Sequence, residues 1–431
     1  MSPKAHLPET LRAAFVQPVA VLGKGVSGRA AAALIERLGG QAVFYDSKAE
    51  DAEPVFDEAA ARHRLVVASP GFAPEHPWMQ AARTGGGLVL TETDFAALCW
   101  PGRVIGVTGT VGKTTTTDFL AHALRHDGQA AVACGNIGLP LSQVAAEGRA
   151  EVAVVELSSF QTEALRFLAP EACLWTNFSE NHLDRHRTMS AYFLAKWGLI
   201  ERTGTGEVIL GQSVADFARR ANKRLPAHAL IIDPHTAPEI EPPADSVFAL
   251  PPARYNFGLV AALWQRLGRN PEALREAARS YQLQPHRLHC VREVGGVRFW
   301  NDSKSTSFVS TLAALAALEG QGEIHWIGGG RSKGGDLGSF ARRIAGRISA
   351  AYLIGSTAEA LREELRACEC SATLCRDLPS AVREAHSEAA PGSHILLSPG
   401  FGSQDQFSGY EARGEVFERT VQALSTDPQT Q

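Results

Sequence analysis

A chain of 431 residues is too long for one hydrophobic core and calls for two or three domains. Its 45% hydrophobic and 20% charged residues describe a globular protein, and a net charge of −4 without a long basic run argues against nucleic acid as a partner. No run of about 18 apolar residues occurs, which excludes a membrane-spanning helix. Seven scattered cysteines and a polar, proline-containing start from Met1 to Thr10 read as a cytoplasmic chain.

The first segment, residues 1–98, opens on the apolar run Val19–Leu22 and the loop Gly23-Lys24-Gly25-Val26-Ser27-Gly28. An Ala-rich helix is expected to about Leu38, then a strand Ala42–Tyr45 ending at Asp46. Glycines spaced Gly-x-Gly-x-x-Gly after a strand let backbone approach a phosphate at a helix N-terminus. By spacing alone the ligand is a nicotinamide dinucleotide or another phosphate ester. Ser69-Pro70-Gly71 follows a second expected strand, Leu65–Ala68, and loops at strand carboxyl ends share one site.

Pro101-Gly102 marks a boundary, and residues 99–284 form the second segment. Its start, Val104 to Thr115, reads strand, glycine loop, helix: Gly106-Val107-Thr108-Gly109-Thr110-Val111-Gly112-Lys113-Thr114-Thr115. Backbone N–H groups and Lys113 cradle phosphates in such a loop, and Thr114 or Thr115 holds a divalent cation. The motif departs from the strict pattern by one position, since Gly106 precedes Gly112 by six residues. Further strands are expected at Val132–Cys134, Val152–Leu157, Cys173–Thr176 and Glu207–Leu210.

Glu156 ends one of these strands, where a carboxylate beside a phosphate loop can bind Mg²⁺. Asn181-His182-Leu183-Asp184-Arg185-His186 spaces two histidines so that one helix face can carry both. Lys196 lies among Tyr192, Phe193, Leu194 and Trp197. It is either a lysine reaching solvent or a semi-buried amine able to add CO₂. Residues 226–252 are Pro- and Ala-rich and weakly periodic. Helical spacing resumes at 256–267 and 271–281.

The third segment, residues 285–431, has expected strands Val297–Trp300, Ile324–Ile327, Ala351–Ile354 and His394–Leu397. Three small-residue loops sit at or near strand ends: Asn301 to Ser307, Gly328 to Asp336, and Ser398 to Ser403. Together they form a plausible small-molecule face. Cys368, Cys370 and Cys375 cluster without the spacing of a zinc site. The fold expected is α/β in three consecutive domains: Rossmann-like, P-loop ATPase-like and Rossmann-like, with parallel sheets in most or all.

In combination, the phosphate loop, Glu156-Leu157-Ser158-Ser159-Phe160-Gln161, Asn181 to His186 and Asn301-Asp302-Ser303-Lys304-Ser305-Thr306 resemble the Mur ligases. These are ATP-dependent amide-forming enzymes of peptidoglycan precursor synthesis. The resemblance covers nearly the whole chain and points to the branch that adds D-glutamate to UDP-N-acetylmuramoyl-L-alanine. Addition of L-glutamate or another amino acid to a UDP-muramoyl substrate is the alternative.

The resemblance implies that the first domain holds UDP through Val26, Ser27, Asp46, Ser47, Ser69 and Gly71, with Asn136 touching the muramoyl part. It implies ATP contacts from Gly109, Thr110, Gly112, Lys113, Thr114, Thr115, Asn256, Arg287 and Asp302. Leu259 stands where a second adenine-side Asn is usual. Two Mg²⁺ sites are implied, drawing on Thr115, Glu156, His182 and a carbamylated Lys196. The amino acid would meet Lys304, Thr306, Lys333, Ser403, Gln404 and Tyr410, where Gln404 and Tyr410 depart from an apolar residue and Phe. Lys113, Lys196, His182 and Arg287 would be the catalytic set, in a monomer whose third domain closes over the second.

Overall fold

Apolar runs of three to six residues become the strands of three separate sheets. They belong to a computed structural model that describes residues 8–236, 238–249, 252–332 and 334–424. The first sheet contains β1 (Val19–Leu22), β2 (Ala42–Tyr45), β3 (Leu65–Ala68) and β4 (Leu88–Thr91) in the order β2-β1-β3-β4, all parallel. Strands β1 and β3 are buried throughout, which is why they read as continuous apolar runs rather than alternating ones. The order reverses between β1 and β3, so the loops leaving them face the same crevice. The helix Val26–Arg37 packs so closely that a Cβ on Gly28 would lie 1.8 Å from the Gly23 carbonyl.

The second sheet contains β5 (Arg103–Thr108), β6 (Ala131–Gly135), β7 (Val152–Glu156), β8 (Ala172–Trp175), β9 (Glu207–Gly211) and β10 (Leu230–Ile232). Its order is β10-β9-β8-β5-β7-β6, again all parallel. The short edge strand β10 lies in the stretch that reads as weakly periodic, and it is only partly covered. Helices Ala253–Arg266 and Pro271–Ser280 follow, the second started by Asn270, whose side chain accepts from Glu272 N.

The third sheet contains β11 (His289–Val294), β12 (Val297–Asn301), β13 (Ile324–Gly329), β14 (Ala350–Ile354), β15 (Ala372–Leu374) and β16 (His394–Leu397) in the order β11-β12-β16-β13-β14-β15. Here the expectation of parallel strands fails at one edge, because β11 runs antiparallel to β12. The cause is local: Gly295 and Gly296 both take positive φ (59° and 80°) and make a two-residue hairpin turn.

The chain packs as two compact units. One is built on the first two sheets and takes in residues up to Phe178, Ser190–Pro243 and Asn256–Tyr281. The other is built on the third sheet and takes in Ser179–Met189, Ala244–Tyr255 and the chain from Gln282. No helix among the described residues is long and apolar enough to cross a membrane.

Candidate active site

Strand β5 delivers the chain into the phosphate loop, and two glycines there are required by contact. Gly109 (φ 152°) passes the end of β8 so closely that a Cβ would lie 1.9 Å from Thr176 Oγ1. Gly112 (φ 80°) begins the helix Lys113–His126, and a Cβ there would lie 2.4 Å from Asn256 Oδ1. Asn177 braces the loop, accepting from Val111 N at Oδ1 (3.0 Å) and donating from Nδ2 to Val111 O (3.0 Å). Lys113 Nζ folds back to donate to Thr110 O at 3.0 Å. The first-turn N–H groups of this helix lack intrahelical acceptors and favour an anion.

Glu156 ends β7, in register with Val107 on one side and Gly135 on the other. It is therefore flanked by the phosphate loop and by the loop after β6. Its carboxylate is 2% exposed, and each oxygen has its own donor. Thr114 Oγ1 donates to Oε2 at 2.6 Å and Asn136 Nδ2 to Oε1 at 2.9 Å. The loop pattern offers Thr114 or Thr115 and the resemblance implies Thr115 for the metal, but Thr114 is the one whose hydroxyl meets this carboxylate. A lone carboxylate with a hydroxyl suits Mg²⁺, which keeps waters and takes oxygen ligands from substrate phosphates.

Lys196 sits on the helix Met189–Thr203 and is 1% exposed, which removes the reading of a lysine reaching solvent. Nζ donates to Thr108 Oγ1 and to Gly109 O, both at 3.0 Å, and lies 5.2 Å from the Tyr192 ring centre. Burial, then the nearby charge of Lys113, holds this amine well below the ordinary lysine range, against the opposing pull of Glu156. Burial also pushes the Tyr192 hydroxyl up to about 12.

In the first sheet, Asp46 is a brace for the glycine loop. Its carboxylate accepts from Lys24 N at 2.8 Å and Lys48 N at 2.9 Å, and these bonds hold its pKa below the usual carboxylate range. Ser69 Oγ donates to Gly23 O at 3.4 Å across the crevice. Val26 and Ser27 open the helix Val26–Arg37, Val26 being 56% exposed. Ser47 and Gly71 are exposed in the loops beyond β2 and β3.

In the other unit, Arg287 lies between two non-glycine residues of positive φ, His286 (61°) and Leu288 (46°). Its Nε is buried and makes no hydrogen bond among the described residues. Asp302 accepts from Leu288 N at 3.1 Å and from Ser398 Oγ at 2.8 Å. Burial lifts its carboxyl to about 7, opposed by Ser398 and Arg287. Lys304 Nζ lies 5.0 Å from the Tyr410 ring centre, a cation–π distance. Ser403 is buried with its hydroxyl unpartnered among the described residues, Gln404 is exposed, and Lys333 lies outside the described residues.

The histidine pair departs from expectation. The helix there is only Leu183–His186, and His182 precedes it with φ 54°, so the two side chains do not share a helix face. His182 lines a cavity of about 70 Å³ together with Thr306, Ser307, Phe308, Arg343 and Phe401. Leu259, where the resemblance expects Asn, is fully buried in the core. Sequence reasoning missed Arg413, which is 1% exposed and donates to Ser303 Oγ (3.0 Å) and Ser303 O (2.8 Å). This fork fixes the loop that carries Asp302 and Lys304. Partners 110 residues apart leave no local signal.

A parallel sheet with a glycine loop, an adjoining carboxylate and a buried lysine defines a P-loop protein built to handle nucleotide phosphates. Comparison with known proteins narrows this. A family model for the Mur ligase middle domain matches residues 107–229, and one for the Mur ligase, glutamate ligase domain matches residues 286–401. A UDP-N-acetylmuramoylalanine–D-glutamate ligase of Gloeobacter violaceus is 34% identical over 447 residues, spanning 95% of this chain and 99% of the relative. MurF from Acinetobacter baumannii has a similar fold at TM-score 0.62 and 16% identity, over 96% of this chain and 98% of that one. MurF ligase from Thermotoga maritima in complex with ADP aligns at TM-score 0.58 and 16% identity, over 88% and 95%. The chain belongs to the Mur ligase family.

Proposed function

We propose that this chain is the ATP-dependent ligase that adds D-glutamate to UDP-N-acetylmuramoyl-L-alanine, in the cytoplasm and as a monomer. The observation that carries the reading is the buried pair Glu156 and Lys196 beside the phosphate loop, with Thr114 and Asn136 bonded to Glu156, in a chain 34% identical to a ligase named for that reaction. Three segments divide the work: 1–98 for UDP, 99–284 for ATP, and 285–431 for the amino acid.

The reaction runs in two steps. The alanyl carboxylate attacks the γ phosphorus of ATP; the new O–P bond forms as the bridging O–P bond breaks and ADP leaves. The neutral amine of glutamate then attacks the acyl carbon: the C–N bond forms, the nitrogen gives up one proton to solvent, and the acyl C–O bond breaks as phosphate departs. Bringing one anionic oxygen within about 4 Å of another costs roughly 4 kcal/mol at an effective dielectric near 20. Lys113 offsets this for the phosphates and Arg287 for the transferring group. Asp302 takes the ribose hydroxyls, and Asn256, lying against Gly112, borders the adenine side.

Glu156 and Thr114, with Thr115 behind it in the same helix turn, would hold one Mg²⁺; His182 and Lys196 as a carbamate would serve the second. Bound there, Mg²⁺ supplies positive charge to the phosphates. Burial that lowers the pKa of this amine favours its neutral form, the form that adds CO₂, its lone pair making the N–C bond and one proton leaving. Val26, Ser27, Asp46, Ser47, Ser69, Gly71 and Asn136 serve the sugar nucleotide. Lys304, Thr306, Lys333, Ser403, Gln404 and Tyr410 serve glutamate.

The test is ADP release by purified protein given ATP, Mg²⁺, the UDP-muramoyl-alanine substrate and one glutamate enantiomer. Release with D-glutamate alone is expected. Equal release with L-glutamate would move the reading to the alternative substrate, and release with neither would end it.

A further inference from the structure

The helix Glu92–Cys99 follows β4 directly and carries two carboxylates that the reaction above does not use. Both are buried, Glu92 at 2% and Asp94 at 0% exposure, and one oxygen of Glu92 and both of Asp94 accept from backbone N–H groups in the connections between strands of the second sheet. Glu92 Oε1 accepts from Ser142 N at 2.7 Å, Oε2 accepts from Thr93 Oγ1 at 3.2 Å, and Ser142 Oγ donates to Glu92 O at 3.4 Å. Asp94 accepts from Arg166, Phe167 and Leu168 N at 2.8–2.9 Å.

The segments gripped are the two that flank Glu156. Ser142 stands in the first turn of the helix Leu141–Glu147, at the N–H groups left without intrahelical acceptors. A carboxylate there also meets the favourable end of the helix dipole. That helix is entered through a closed turn in which Gly135 N donates to Leu139 O at 2.7 Å. The same turn carries Asn136, bonded to Glu156 through its backbone N (2.9 Å) and its Nδ2 (2.9 Å). On the other side, Asp94 grips the chain just beyond the helix Ser159–Ala164, which begins three residues after Glu156.

We infer that Glu92 is a positioning residue: by fixing the start of the helix Leu141–Glu147 it sets Asn136, and through Asn136 the carboxylate of Glu156. The first segment thereby reaches the phosphate loop through hydrogen bonds as well as through its own ligand. A slack turn would let the Asn136 amide leave Glu156 Oε1, freeing a buried carboxylate to rotate away from Thr114. This rests on the proposed ligase reading, because its readout is turnover.

The test is a double-mutant cycle of Glu92→Ala and Asn136→Ala, reading kcat, the half-saturating Mg²⁺ concentration and KM for glutamate. Glu92→Ala is expected to lower kcat by about tenfold or more and raise the Mg²⁺ requirement, with KM for glutamate within about twofold of wild type. In the Asn136→Ala background the same change is expected to cost less than about twofold more, because both act through one carboxylate. Glu92→Gln keeps an acceptor for Ser142 N and is expected to recover most of the loss. If Glu92→Ala fails to fold, Glu92→Met, which fills the same space without an acceptor for Ser142 N, carries the cycle with the same coupled loss expected.

Multiplicative losses in the double variant, or a loss in kcat that follows the fall in Tm across all variants, would reduce Glu92 to a fold staple and overturn the inference. An inactive wild type would instead overturn the ligase reading. The two failures are therefore distinct.

Discussion

Thr114 Oγ1 lies 2.6 Å from Glu156 Oε2, joining the first turn of the phosphate-loop helix to the end of the neighbouring strand β7. A side chain from the loop and one from the next strand thus converge where a nucleotide-bound cation belongs. Thr114→Val keeps the shape and removes the hydroxyl. The half-saturating Mg²⁺ concentration is expected to rise by about 10–100-fold, the usual cost of losing a partner of a metal-site carboxylate. Thr115→Val is expected to cost less, since Thr114 holds the bond to Glu156. A larger effect at Thr115 would reassign the hydroxyl.

Lys196 offers a test in which stability and activity move in opposite directions. Its folded-state pKa is depressed, so the native fold favours the neutral amine more than the unfolded chain does. The stability it contributes is full above the ordinary value of 10.5 and is lost as pH falls towards the depressed one. In buffer stripped of CO₂, Lys196→Met is therefore expected to raise Tm at pH 7, with the gain shrinking towards pH 10.5. The same variant is expected to lose turnover by about a hundredfold or more. For Lys196→Ala, a short carboxylic acid in the cavity is expected to restore part of the turnover. Full activity without additive would remove the carbamate role.

Much of this arrangement was legible beforehand, for a physical reason. Strands buried on both faces are continuous apolar runs, so β3 and β16 match their expected bounds and β7 and β13 differ only at their ends. The phosphate loop and Glu156 announce themselves because strand-end chemistry sits next to its strand in sequence. What escaped lies at edges or at long range. Strands β10 and β15 are three residues each and only partly buried. The antiparallel β11 has one local signal, the Gly295-Gly296 pair between apolar residues. The depth of Lys196, the Arg413–Ser303 fork and the Glu92–Ser142 contact depend on packing between distant segments, and no local pattern encodes them.

Asp302 predicts the opposite pH behaviour to Lys196. Burial raises its carboxyl from 3.8 to about 7, so the folded state favours the proton. Its contribution to stability is full below 3.8 and is lost as pH rises through about 7. Asp302→Asn should match wild-type Tm near pH 4 and exceed it by pH 8, read by scanning calorimetry. The same variant should raise KM for ATP several-fold at pH 8, where the wild-type carboxylate is ionised to accept ribose hydroxyls. A Tm difference independent of pH would show that Asp302 titrates as an ordinary carboxyl.

Gly112 is where the loop conformation and the nucleotide site meet. Its φ of 80° is open to glycine and strained for an L side chain by roughly 1–2 kcal/mol. An added Cβ would also stand 2.4 Å from Asn256 Oδ1, forcing that amide aside. Gly112→Ala is therefore expected to raise the Kd for ATP by about tenfold or more, measured by calorimetric titration. The two causes separate in the Asn256→Ala background, where only the backbone strain is left and the added loss should be smaller. If ATP affinity changed by less than twofold in Gly112→Ala itself, neither the close approach to Asn256 nor the cradle built on this turn would stand.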